Sequence, residues 1–155
     1  SQIAALYPVG IEVEGLYVVL QSEALLGALG RDREPKLLLR GNPRMLSIDL
    51  QIAAYRCVYD AVLSLGRRTT ARVSVRGRCG ATQLHRGITL VFSLAEYTRE
   101  LDDESFSAIQ SLLAGRVGVY GGKVVTRRRR VVVLMTEPNS ETDPQRCGSQ
   151  FGVRA

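Results

Sequence analysis

A change of hydrophobic period constrains this chain more than any other feature. Between Ser47 and about Gly66 the apolar residues Ile48, Ile52, Tyr55, Val58 and Val62 recur at helical spacing and form one stripe. Directly afterwards, in ARVSVRGRC (71–79), Val73 and Val75 alternate with Arg72, Ser74 and Arg76, the period of a strand wet on one face. A long one-sided helix that hands over to alternating strands needs two layers, with the helix stripe covering the apolar face of a sheet.

The flanking segments fit that plan. Ser47 is a suitable N-cap, and Asp49 lies in the first turn where the helix dipole favours an acid, so the predicted helix covers 47–66. Upstream, Leu16, Val19, Leu20, Leu26 and Leu29 predict a helix over 11–29, with Gly15 near its start and Gly30 as its stop. KLLLRG (36–41) reads as a short strand closed by the turn GNPR. GITLVFSLA (87–95) is a second, more apolar strand, joined to 71–79 through the hairpin-type GATQLHRG. DDESFSAIQSLLAGRVGVYGG predicts a helix over 103–120 with acids in its first turn and a stop at Gly121-Gly122. KVVT and RVVVLMTEP form a last strand pair around Arg127 to Arg130, and 139–155 is polar, without periodicity, and expected to be a loose tail. The expectation is an α+β two-layer sandwich: one domain over 1–138, a mixed, mostly antiparallel sheet, and about three helices behind it. A chain of 155 residues suffices for one such core.

Composition narrows the function classes. The net charge of +6 makes a nucleic acid or an acidic surface worth weighing. Outside Arg127–Arg130 the basic residues are scattered, and the nine aromatic residues (6 Tyr, 3 Phe) rarely stand beside basic clusters, as a base-stacking platform would require. Specific nucleic-acid binding is therefore not expected. The tetra-arginine run offers charge for phosphates or an anionic membrane, but between two strands it reads first as a solvated hairpin tip. Cys57, Cys79 and Cys147 form no CxxC pair, and their odd number argues against a disulfide framework. His85, the single histidine, sits in a turn-like joint without the partners a zinc site needs. No stretch reaches the ~20 apolar residues of a membrane helix, and no signal-peptide pattern or initiator Met is present, so the chain reads as an excerpt of a longer protein.

IDLQIAAYRCVYDAVLS (48–64) overlays without a gap on a helix motif of the form L-x-L-A-L-Y-R-I-V-Q-E-A-L-x-N, matching Tyr55-Arg56. VGIEVEGLYVVL (9–20) stands where that family has L-x-x-L-G-L-x-x-A-L, and RVGVYGGKV (116–124) matches R-V-x-x-L-G-G-x-L. On these three segments, over roughly 8–138, the chain resembles the ATP-binding catalytic domain of sensor histidine kinases, in particular the nitrate and degradative-response subfamily.

The resemblance implies a sheet backed by helices with ATP between them under a mobile lid. It places Asp60 at the family's Glu, thought to assist phosphoryl transfer, and Ser64 at its Mg²⁺-ligating Asn. Both are altered. A Ser hydroxyl is a weaker ligand for a hard cation than a carboxamide, and Asp is one methylene shorter than Glu. Arg56, four residues before Asp60, is the expected surface ion-pair partner. The family's two glycine-rich boxes, one carrying the adenine-reading Asp and one cradling the phosphates, have no counterpart, since no glycine occurs between Gly87 and Gly115. Glu96, Asp102 and Asp103 stand near the first box, but without glycine they read as a charged loop and a dipole-favoured helix start. The phosphoacceptor histidine of such a kinase would lie on a helical hairpin upstream, and His85, in a loop, does not replace it.

These residues lead us to expect a degenerate catalytic domain of a two-component sensor, acting as a regulatory or docking module, with no catalytic residue assigned and no cofactor expected. Its expected partners are other domains of its parent protein, a response regulator or a second copy. The resemblance places it in the cytoplasm, tethered to the inner membrane through its parent. The alternatives are a divergent but active ATP/Mg²⁺-binding kinase domain and a basic nucleic-acid-binding module.

Overall fold

The computed structural model describes residues 10–22, 34–96, 98 and 101–139. It is an α+β two-layer structure in which helices cover one face of a 5-stranded sheet of order β1-β2-β3-β5-β4. The strands are β1 (Lys36–Arg40), β2 (Val73–Ala81), β3 (His85–Leu94), β4 (Lys123–Thr126) and β5 (Val131–Pro138). β1 pairs with β2 in parallel, and the remaining pairs are antiparallel.

The two-residue periodicity divides the sheet into faces. Val73, Val75, Ile88, Leu90, Phe92, Val131, Val133 and Met135 point to the helices and are buried. Their counterparts are the stripe of α3 (Ile48–Arg68), with Leu50, Tyr55, Val58, Val62 and Leu65 buried, and α4 (Asp103–Val117), with Phe106, Ile109, Leu113 and Val117 buried. At ~25 cal/mol per Å² this shared apolar face is the main stabilising term of the fold.

The ends of these helices are set locally. Ser47 caps α3, its Oγ accepting from the Leu50 N–H at 3.1 Å. Glu137 at the end of β5 accepts the Ser47 N–H at 2.8 Å and the Ser47 hydroxyl at 2.5 Å, and it also pairs with Arg86 of β3. The start of the long helix is thus fastened to the sheet by one carboxylate. α4 passes into a 3₁₀ turn (Gly118–Tyr120) and stops at Gly121, whose φ of 64° is the left-handed conformation that glycine adopts without penalty.

The helix expected over 11–29 is interrupted. α1 (Ile11–Glu14) ends and α2 (Leu16–Leu20) begins at Gly15, whose φ of 86° lies outside the helical region. The break leaves the Leu16 N–H without a helical partner, and the buried side chain of Gln51 supplies one. Its Oε1 accepts that N–H at 3.0 Å while its Nε2 donates to the Leu46 carbonyl at 3.0 Å. A helical pattern does not reveal such an interruption, because Leu16, Val19 and Leu20 stay on a buried face. Residues 23–33, including Leu26 and Leu29, lie outside the described residues. So does the expected tail, apart from Asn139, whose N–H and Nδ2 donate to the Leu84 and Thr82 carbonyls at 2.8 and 3.1 Å.

Candidate functional site

Asp60 and Ser64 lie one turn apart on α3, both half-buried, and helical spacing puts them on one side. α4 runs antiparallel beside them. At its far end the Tyr120 hydroxyl donates to the Asp49 carbonyl at 3.4 Å, next to the start of α3. At its near end Asp102 feels the charge of Arg68 at the end of α3. Between those ends Arg116 of α4 brings its Nε to 2.6 Å from Asp60 Oδ2. Asp60 thus has a charge partner on the neighbouring helix, which its local spacing to Arg56 does not reveal. No N–H is aligned on Asp60 Oδ2 as a hydrogen bond, so the contact is chiefly charge on charge.

Cys57, one turn before Asp60, completes this cluster. Its thiol is buried and pushed up to about 12, by desolvation first, with Arg116 pulling it down and Asp60 adding to the rise. A thiol kept protonated in this way is neither a nucleophile nor a metal ligand at neutral pH. Cys79 is also raised by burial, and its Sγ lies 3.1 Å from the Tyr17 hydroxyl, which donates to the Arg40 carbonyl at 2.5 Å. Both cysteines are free.

The other acids do ordinary structural work. Asp102 is the exposed N-cap of α4: its Oδ1 accepts from the Ser105 N–H at 2.9 Å and hydroxyl at 2.8 Å, which lowers its pKa. Asp103 is in the first turn, and Glu96 is exposed just past β3. Among the described residues, no group of three or more His, Cys, Asp or Glu is placed to hold a metal ion. His85 is exposed at the first position of β3, where Thr82 closes the turn by accepting its N–H at 3.1 Å.

Arg127–Arg130 forms the β4–β5 turn, closed by reciprocal backbone hydrogen bonds between Arg127 and Arg130 at 2.8 and 3.0 Å. Its two central residues, Arg128 and Arg129, have φ of 48° and 61°, the left-handed geometry of a primed hairpin turn. Arg129 is not a solvated tip. It donates to the Thr98 carbonyl at 2.6 Å and lies 5.6 Å from the centre of the Phe106 ring, tying the turn to the start of α4.

Sequence reasoning missed Arg116 and Glu137 as organising residues. Arg116 carries a signal only as the first residue of RVGVYGGKV, and nothing local marks Glu137.

An α+β sandwich with this strand order and one helical layer is the histidine-kinase ATPase-like fold. The histidine kinase domain of the Erythrobacter litoralis EL346 blue-light activated histidine kinase overlays with a TM-score of 0.51 at 12% identity, covering 82% of this chain and 64% of that one. The longer Erythrobacter litoralis EL346 blue-light activated histidine kinase gives 0.53 at 15% identity, covering 89% of this chain and 46% of that one. The chain thus spans under two thirds of the first structure's length and under half of the second's. At such identity the likeness is one of fold. No family model matches the sequence, and no curated protein matches it. No helix among the described residues is long and apolar enough to cross a membrane.

Proposed function

We propose that this chain is a catalytically silent histidine-kinase-like module of a two-component sensor, of the nitrate and degradative-response type, that works by docking rather than by phosphoryl transfer. The observation that carries this reading is the engagement of Asp60 by Arg116 at 2.6 Å. Phosphoryl transfer by a domain of this fold depends on positioning and charge stabilisation. Here the acid at the nucleotide-type position is neutralised by a guanidinium from the neighbouring helix, and its neighbour is Ser64 rather than a carboxamide.

A phosphate cradle requires backbone that approaches phosphate oxygens with N–H groups turned inward, which glycine permits. The stretch from Ile88 to Ala114 contains none. Asp102, in the region where an adenine-reading acid would fall, is already capping α4. These residues do not fit Mg²⁺-ATP.

In this reading the module acts in the cytoplasm, held at the inner membrane by its parent protein. Its partners are other domains of that parent, a response regulator or a second copy. The test is a thermal-shift titration of the chain with ATP, ADP and a non-hydrolysable analogue in the presence of Mg²⁺. A ligand bound at physiological concentration raises Tm by mass action. The expected result is no rise; a clear rise that is lost on Asp60→Ala overturns the proposal.

A further inference from the structure

The helices cover one face of the sheet, and alternation along the strands determines what the other presents. β1 turns Lys36, Leu38 and Arg40 outward, and β2 turns Arg76 and Arg78 the same way. The register lines these up in rows. One row runs Leu38, Arg76, Val91, Val132, Val125 across the sheet, and the next runs Arg40, Arg78, Thr89, Leu134, Lys123. Leu38, Leu134 and Val125 are 44%, 42% and 53% exposed. A shallow depression of ≈ 510 Å³ lies between Leu38, Arg40, Arg76, Arg78 and Val91.

Two features set this face apart from an ordinary solvated one. Arg40 and Arg78 are direct cross-strand partners in the parallel pair, and like charges directly opposite one another are destabilising. Moreover, among the described residues the only carboxylate in the strands is Glu137, which turns to the helix side to hold Ser47 and Arg86. The outward cations therefore have no carboxylate of the sheet beside them. Alongside them, toward β3 and β5, stand Val91, Val132 and Leu134.

We propose that this outer face docks an acidic amphipathic helix of a protein partner, its acids over Arg40, Arg76 and Arg78 and its apolar side on Val91, Val132 and Leu134. Charge complementarity selects an acidic occupant, and the aliphatic half selects one with an apolar side. Nucleic acid would leave that half unused, and among the described residues no Phe, Tyr or Trp points outward from the strands to stack on bases. A membrane would need apolar groups that lead the way into the acyl boundary, whereas here the longer Arg and Lys side chains stand above the valines. Laid along the strands over the boundary of β2 and β3, the docked helix meets the arginines with one flank and the aliphatic residues with the other. The 9 residues of β2 at ~3.3 Å each span ~30 Å, matched by about five turns of helix. This surface is independent of whether nucleotide binds on the helix side.

The probe is a fluorescent peptide of about 18 residues, about 27 Å as a helix and so close to the length of β2, with Leu on one side of the helix and Glu on the other. Its binding to the whole chain is read by anisotropy. The expected result is saturable binding, weakened about tenfold or more by R76S/R78S and about three- to tenfold by Leu134→Ser, with the folded state of each variant checked by circular dichroism. A peptide with Lys in place of Glu should not bind. If R76S/R78S does not fold, Arg40→Gln is expected to weaken binding about threefold in its place. Failure of the acidic peptide to bind overturns the proposal. So does tighter binding of duplex DNA or of phosphatidylserine vesicles that Leu134→Ser leaves unchanged.

Discussion

Arg116 of α4 and Asp60 of α3 meet at 2.6 Å, with side chains 34% and 19% exposed, and this contact joins the two helices that cover the sheet. A partly buried ion pair of this kind is sensitive to the loss of either partner, because the remaining charge keeps its desolvation cost without compensation. Asp60→Asn and Arg116→Gln should each destabilise the chain by about 1–2 kcal/mol. In a double-mutant cycle the pair should couple by about 1 kcal/mol, a figure kept low by the exposure of Arg116. Urea unfolding of the two single variants and the double variant measures this. Additivity would place Asp60 with a different partner.

The break at Gly15 and its repair by Gln51 give a second expectation. Gln51 is 2% exposed and satisfies both the Leu16 N–H and the Leu46 carbonyl, so Gln51→Leu strands two buried backbone groups. The cost should be about 2–3 kcal/mol. Gly15→Ala, forced to φ near 86°, should cost at least about 1 kcal/mol. Chemical denaturation reads both. A neutral Gly15→Ala would mean that α1 and α2 run on as one helix.

The hairpin turn offers a stabilising change. Arg128 holds a left-handed φ of 48° that Asn adopts more readily, so Arg128→Asn should raise stability by about 0.5–1 kcal/mol. The same substitution at Arg129 should give no gain. That residue also holds the Thr98 carbonyl and lies over Phe106, and those contacts offset the relief of strain. Paired melting curves of the two variants distinguish the cases.

Cys57 predicts a pH dependence whose sign follows from its environment. Burial raises the folded-state thiol from 9.0 to about 12. Below pH 9 the thiol is protonated in both states and its stabilising contribution is complete. Between pH 9 and about 12 the unfolded chain loses the proton while the folded chain keeps it, so stability falls with rising pH. Cys57→Ala should flatten the part of the alkaline decline that begins at pH 9, leaving the parts due to Tyr17, Tyr55 and Cys79, which burial also raises. Tm measured from pH 8 to 12 checks this, and identical curves for parent and variant would remove Cys57 from the account of alkaline unfolding.

The two-layer plan was legible in the residues because hydrophobic period is a local signal. The stripe from Ile52 to Val62 and the alternation at Val73 and Val75 each mark a buried face without reference to anything distant, whereas Ile48, expected in that stripe, is 36% exposed in the first turn of α3. The capping chemistry of Ser47 and the glycine stop at Gly121 were legible for the same reason. The interruption at Gly15 was not, since its repair comes from Gln51, 35 positions away. Nor was Arg116 as a partner of Asp60, because it lies on another helix and only packing brings the two together. The basic face was half visible: ARVSVRGRC puts Arg76 beside Arg78 on one side, but their alignment with Arg40 depends on a parallel register that no short stretch encodes.

The most direct measurement is a calorimetric titration of the chain with Mg²⁺-ATP, run beside its Asp60→Ala variant. With Asp60 held by Arg116 and no glycine from Ile88 to Ala114, no saturable heat should appear up to millimolar nucleotide, for the parent or the variant. Saturable binding by the parent that disappears in the variant would contradict a silent module and make Asp60 part of a working nucleotide site.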